Sequence, residues 1–182
     1  MFIQTEETPN PESLKFLPGR AVMPSGTADF ASVAEAENAP LARRLFAVEG
    51  VAGVFLGADF VTVTKQAGAD WQTLKPPVLG ALMAHFTSGE AAVLQAAAAT
   101  GAAEDEDEIV SQIKDLLETR VRPAVAQDGG DIAFQGFEDG VVYLHMQGAC
   151  AGCPSATATL KHGIENMLRH YVPEVVAVEQ AF

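Results

Sequence analysis

Residues Ser88 to Glu108 constrain the fold more than any other part of this chain. The stretch is rich in alanine, carries Gly89 and Gly101, and ends in five consecutive acids, Glu104 to Glu108. It separates two apolar, well-punctuated regions, so the 182 residues are expected to form two small units in place of one large core. The expected boundaries are residues 1–88, a linker at 89–107, and residues 108–182. The acidic run reads as the first turn of a helix, where carboxylates complement the positive end of the helix dipole.

The first unit has the punctuation of a mixed α/β fold. Met1–Gln4 and Ser13–Leu17 read as strands around a polar turn that holds Pro9 and Pro11. Pro40 suits the start of a helix, with Asn38 as a candidate cap and Leu41, Leu45, Phe46 and Val48 near one face. Val51–Leu56 and Asp59–Lys65 read as a hairpin, because Phe60–Thr64 is rich in β-branched residues. Asp70 is placed to cap a helix whose apolar positions are Leu79, Leu82, Met83 and Phe86. Phe30–Ala36 fits no single pattern.

The second unit reads in the order α-β-β-α-β. Ile109, Ile113, Leu116, Leu117, Val121 and Val125 recur at helical spacing. Gly129-Gly130 stops that helix, because paired glycines accept positive φ. Strands are expected at Ile132–Phe137 and Val141–Met146, joined by the turn Glu138-Asp139-Gly140. A loop over Gly148–Pro154 then leads to a helix at Ser155–Tyr171 and a last strand at Val175–Val178. The fold class is α+β in both units, with helices layered on a small sheet.

Composition narrows the partners. Apolar residues make up 48% of the chain, enough for a core. A net charge of −13 repels phosphate backbones and anionic membranes, so neither nucleic acid nor a membrane is an expected partner. Residues 1–20 hold Glu6, Glu7 and Glu12 and lack both an apolar core and an arginine-rich, acid-poor character. They therefore suggest a cytoplasmic protein, or one of the mitochondrial matrix if a transit peptide has been removed. Two closely spaced cysteines in such a chain point to metal or redox chemistry and not to a disulfide framework.

The chemistry centres on Cys150-Ala151-Gly152-Cys153. Two intervening residues let both sulfurs converge on one centre. Pro154 suits the first position of the next helix, which puts Cys153 beside a helix N-terminus that favours thiolate. Three readings stay open on these residues alone. A dithiol oxidoreductase uses the same spacing but expects a larger sheet. A zinc site needs four ligands, and His145, His162 and His170 lack ligand spacing to the loop. A 4Fe–4S cluster also needs four thiolates, which two copies of the chain supply together, giving a symmetric dimer.

A longer match bears on that choice. Gln147-Gly148-Ala149-Cys150-Ala151-Gly152-Cys153-Pro154-Ser155, followed by Thr159-Leu160-Lys161 and Gly163-Ile164-Glu165, resembles the C-terminal domain of the NifU/Nfu family. Arg122-Pro123 and Asp128-Gly129-Gly130-Asp131 resemble its preceding helix-to-strand segment, and Ala156 stands where the family often has a second serine. Gln4-Thr5-Glu6, Thr8-Pro9-Asn10-Pro11 and Leu14-Lys15-Phe16 resemble the N-terminal domain of two-domain Nfu proteins. The resemblance implies a non-enzymatic iron–sulfur cluster scaffold or carrier. It implies a 4Fe–4S cluster on Cys150 and Cys153 at a homodimer interface; whether 2Fe–2S is carried as well stays open. It also implies an upstream cluster scaffold and apo iron–sulfur proteins as partners. The N-terminal domain, which has no cysteine, reads as a docking or positioning module.

Overall fold

Two runs of alternating and helical apolar spacing give two separate cores, in Met1–Ala99 and Thr100–Phe182. The computed structural model describes residues 2–94, 107–151 and 154–181. Most of the expected linker therefore lies outside the described residues.

In the first unit, β1 (Gln4–Glu7), β2 (Ser13–Leu17), β3 (Ala28–Phe30), β4 (Val51–Leu56) and β5 (Val61–Lys65) form an antiparallel sheet in the order β1-β2-β5-β4-β3. Helices α1 (Pro40–Phe46) and α2 (Trp71–Ser88) supply Leu41, Leu45, Val78 and Leu82 to the core, against Phe16, Val54, Leu56, Val61 and Val63. The first strand lies later than its apolar residues suggest. An edge strand pairs through its backbone on one side only, so the polar Gln4–Glu7 can pair with Leu17–Leu14. The turn that follows is held by side chains: Glu12 N–H donates to Asn10 Oδ1 at 3.0 Å, and the Thr8 hydroxyl to Asn10 O at 2.8 Å.

Two helix details differ from expectation. Asn38 does not cap α1, since the residue before Pro40 is Ala39 and makes no side-chain cap. In α2, capped by Asp70 through Gln72 N–H at 3.2 Å, the buried face is Leu74, Val78, Leu82 and His85. Met83 is exposed. Residues beyond α2 return to this unit: Leu41 N–H donates to Ala92 O and Leu94 N–H to Asn38 O.

The second unit follows the expected order. It comprises α3 (Glu108–Leu116), a single π-helical turn (Leu117–Val121), α4 (Arg122–Gln127), β6 (Gly130–Glu138), β7 (Val141–Gly148), α5 (Pro154–Tyr171) and β8 (Ala177–Gln180). The π turn has a local cause. Pro123 has no N–H to give the carbonyl four residues back, and its ring crowds that carbonyl, so the helix widens just before it. β6 and β7 pair antiparallel, with an irregularity between Phe134 and Gly136, and β8 joins β7 in parallel. The last strand lies two residues beyond Val175–Val178 because Val175 and Val172 first complete the core beneath α5. Asp139 and Gly140, with φ of 51° and 80°, make the tight turn at the closed end of the β6–β7 hairpin.

Candidate functional site

The site is built at the open end of that hairpin. Helix α4 stops where Asp128 N–H donates to Val125 O and Gly129 N–H to Ala126 O. Gly129 (φ 80°) turns the chain into β6, whose first residue, Gly130, pairs with Gly148, the last of β7. Gly148 (φ 63°) then turns the chain out of the sheet. Ala149 N–H donates to Gly129 O at 3.2 Å and Ala151 N–H to Gly148 O at 3.1 Å, which fold the loop back over the glycine pair.

Cys150 ends up pointing inward. It is 6% exposed and belongs to the core of the second unit with Ile113, Val125 and Ile132. Its sulfur packs against the bare face of Gly130. A Cβ built there would collide with Cys150 Sγ and stand 2.9 Å from Gln147 O and 3.0 Å from Cys150 N. From the far side, the Thr157 hydroxyl on α5 donates to Cys150 O at 3.0 Å. Burial, then the charges of Asp128 and Asp131, push the Cys150 thiol up to about 12, so it is protonated at neutral pH.

Asp131 is itself buried. Its carboxylate accepts Arg122 Nε at 2.9 Å, Arg122 Nη2 at 2.8 Å and its neighbour's amide, Ile132 N–H, at 2.8 Å. Arg122 also donates to Glu118 at 2.6 Å, and the Asp131 hydrogen bonds raise the pKa of its guanidinium. This fork ties α4 to the start of β6, next to the glycine that Cys150 covers.

Of the two expected ligands, the structure places Cys150; Cys153, with Gly152, lies outside the described residues. The expectation of a helix N-terminus beside a thiolate attaches to Cys153, while Cys150 occupies the opposite kind of environment. His145 is near Ala181 O at 3.4 Å, and His162 and His170 are exposed on α5. Among the described residues, no group of three or more His, Cys, Asp and Glu side chains is arranged to hold a metal ion, and no helix is long and apolar enough to cross a membrane. In the first unit, His85 is fully buried and, among the described residues, neither ring nitrogen has a hydrogen-bond partner. Sequence reasoning quoted Arg122, Gly130 and Asp131 as a matching segment without finding their roles, and it missed Thr157. The Arg122–Asp131 pair, nine residues apart across a helix-to-strand turn, was the available signal.

Residues 3–89 match the family model described as scaffold protein Nfu/NifU N terminal, and residues 113–179 match the NifU-like domain. Human "NFU1 iron-sulfur cluster scaffold homolog, mitochondrial" is 52% identical over 182 residues, covering 99% of this chain and 72% of that protein. The chain belongs to the Nfu/NifU family. Other members are similar along its whole length. The protein of the same name from Drosophila sechellia is 56% identical over 185 residues, which are 100% of this chain and 65% of that one. "NifU-like protein 4, mitochondrial" from Arabidopsis thaliana is 56% identical over 188 residues, covering 100% and 66%. This Nfu/NifU chain thus spans about two thirds of the length of these curated relatives. Their names correct the cytoplasmic expectation: all three are mitochondrial, which points to mitochondria and not the cytoplasm. Glu6, Glu7 and Glu12 misled because they belong to the folded β1–β2 region, where acids report an exposed sheet edge and not a cellular address.

Proposed function

We propose that this chain is a non-catalytic iron–sulfur cluster scaffold that accepts a labile 4Fe–4S cluster as cargo and passes it to apo-proteins. The observation that carries the reading is the placement of Cys150. It sits on a glycine-turned loop between β7 and α5, within the stretch that matches the NifU-like domain. Cys150 and Cys153 give two sulfur donors per chain, and iron–sulfur clusters take four thiolates, so two copies of the chain share one cluster. Sulfur donors suit this cargo. Loading removes their protons, which makes cluster uptake a proton-releasing step. Cluster binding and dimerisation are linked, because the full ligand set exists only in the pair. A cluster held between two acidic chains leaves readily for a client that offers more thiolates. The relatives' names support mitochondria as the place of action.

A dithiol oxidoreductase is the competing use of the same spacing. It attacks as a thiolate and so needs a lowered thiol pKa. The buried Cys150, pushed up to about 12, weighs against it.

Anaerobic reconstitution with iron and sulfide, followed by Mössbauer spectroscopy and light scattering, tests the proposal. The expected product is a brown dimer with about one 4Fe–4S cluster per two chains, which returns to monomer when the cluster is removed. A 2Fe–2S spectrum would change the cargo but keep the site. A colourless protein that takes up only zinc would sink the reading.

A further inference from the structure

Cys150 is turned into the protein and away from solvent. The space on the Gly130 side of its sulfur does not admit one additional methyl group. The side chain is buried in the core of the second unit. The loop that carries it is closed by three hydrogen bonds, Ala149 N–H to Gly129 O, Ala151 N–H to Gly148 O, and the Thr157 hydroxyl to Cys150 O. A multi-iron cluster needs far more room than a methyl group, so the Gly130 side of Sγ has no space for one.

We propose that Gly130 and Thr157 are positioning residues that shelter the Cys150 thiol inside the cluster-free unit, and that the loop opens to present the sulfur when a cluster is taken up. The first half stands on the packing alone, and the second rests on the reading of Cys150 as a ligand. Gly130 provides the only residue type that leaves a berth for the sulfur. Thr157 fastens the cysteine's own carbonyl to α5, the one side-chain tie among the three hydrogen bonds that hold the loop shut. The arrangement protects the thiol from oxidation while it waits, and it makes loop opening a step in loading.

Alkylation kinetics test this on the full chain. Because the chain has two cysteines, Cys153→Ser leaves Cys150 as its only thiol. In this background, iodoacetamide should modify the native cluster-free protein about a hundredfold or more slowly than the urea-unfolded protein at the same pH. Thr157→Val should speed the native reaction about tenfold, the worth of one hydrogen bond, whereas Thr157→Ser, which keeps the hydroxyl, should stay within about twofold. Gly130→Ala should move the rate towards the unfolded value. If that variant fails to fold, as circular dichroism would reveal, the Thr157 pair carries the test. A native rate equal to the unfolded rate, or a Thr157→Val rate equal to that of Thr157→Ser, would overturn the proposal. Reconstitution of the unmutated chain separates the two readings. A sheltered thiol in a protein that binds no cluster removes the scaffold function alone, and an exposed thiol in a protein that binds one removes the shelter alone.

Discussion

Replacing Arg122 by alanine should destabilise the second unit selectively. The change removes the hydrogen bonds of 2.9 and 2.8 Å to Asp131 and leaves that carboxylate, 5% exposed, with its bond to Ile132 N–H but without the guanidinium fork. Truncating one partner of a buried ion pair costs about 3–5 kcal/mol. The Arg122 side chain is 31% exposed, so water reaches part of the site and lowers the expectation to about 2–3 kcal/mol. A unit of this size has about 5 kcal/mol of total stability, so roughly half of it is lost. The corresponding fall in melting temperature is about 10–20 °C. Trp71, the single tryptophan, lies in the first unit, so its fluorescence follows that unit alone while far-ultraviolet circular dichroism follows both. The circular dichroism transition should gain an early phase in Arg122→Ala, and the fluorescence transition should stay where it was. Arg122→Lys keeps the charge but not the two-armed geometry and should fall between. A second-unit transition within about 0.5 kcal/mol of the unmutated chain would refute the reasoning, because that is the range of an ordinary surface substitution.

Three further outcomes are expected. Cys150→Ser or Cys153→Ser should abolish stable cluster binding in anaerobic reconstitution with little change in circular dichroism; a fully occupied cluster in either variant would contradict the site. Burial, then the charge of Arg44, opposed by Glu90, lowers the pKa of His85 below its ordinary 6.5, so the unfolded chain takes up the proton more readily than the folded unit does. Its contribution is therefore present above pH 6.5 and lost as pH falls below it, by up to about 1.4 kcal/mol per pH unit; His85→Phe, followed by Trp71 fluorescence, should flatten that slope below about pH 6.5. Gly140→Ala should destabilise the second unit by about 1–3 kcal/mol, because φ is 80° and the new Cβ would stand 2.8 Å from Val176 Cγ2 and 3.0 Å from Glu174 O; an unchanged urea midpoint would show that the turn relaxes freely.

The second unit was the more legible because its punctuation is strong. Gly129-Gly130 and Asp139-Gly140 mark where a helix and a hairpin end, and the apolar residues between them face one core. The π turn before Pro123 was hidden, since helical spacing does not reveal how a proline's missing N–H is accommodated. In the first unit, β1 was expected about three residues too early, because an edge strand is held by backbone pairing with β2 and needs no apolar alternation of its own. On α2, Leu82 is buried and Leu79 and Phe86 pack against the core as expected, but the centre of the buried face was missed because one of its four buried positions is His85, which a count of apolar residues passes over. At the site, cysteine chemistry and spacing drew attention to Cys150 and Cys153. That Cys150 faces inward, and that Gly130 and Thr157 close around it, depends on three elements meeting in space and leaves no periodic trace.

The hairpin that carries the site is a zipper with unequal ends. Its closed end is pinned by Asp139-Gly140, and its last rung is Gly130 opposite Gly148. A ladder frays from its open end, and neither glycine has a side chain to pack against its partner there. Amide hydrogens of the last rung should therefore exchange with solvent through local fraying, while those of Phe137 and Val142, next to the turn, wait for the whole unit to unfold. Fraying events of this kind occur in about microseconds to seconds, so the loop at the end of the ladder can be remodelled many times while the sheet behind it stays paired.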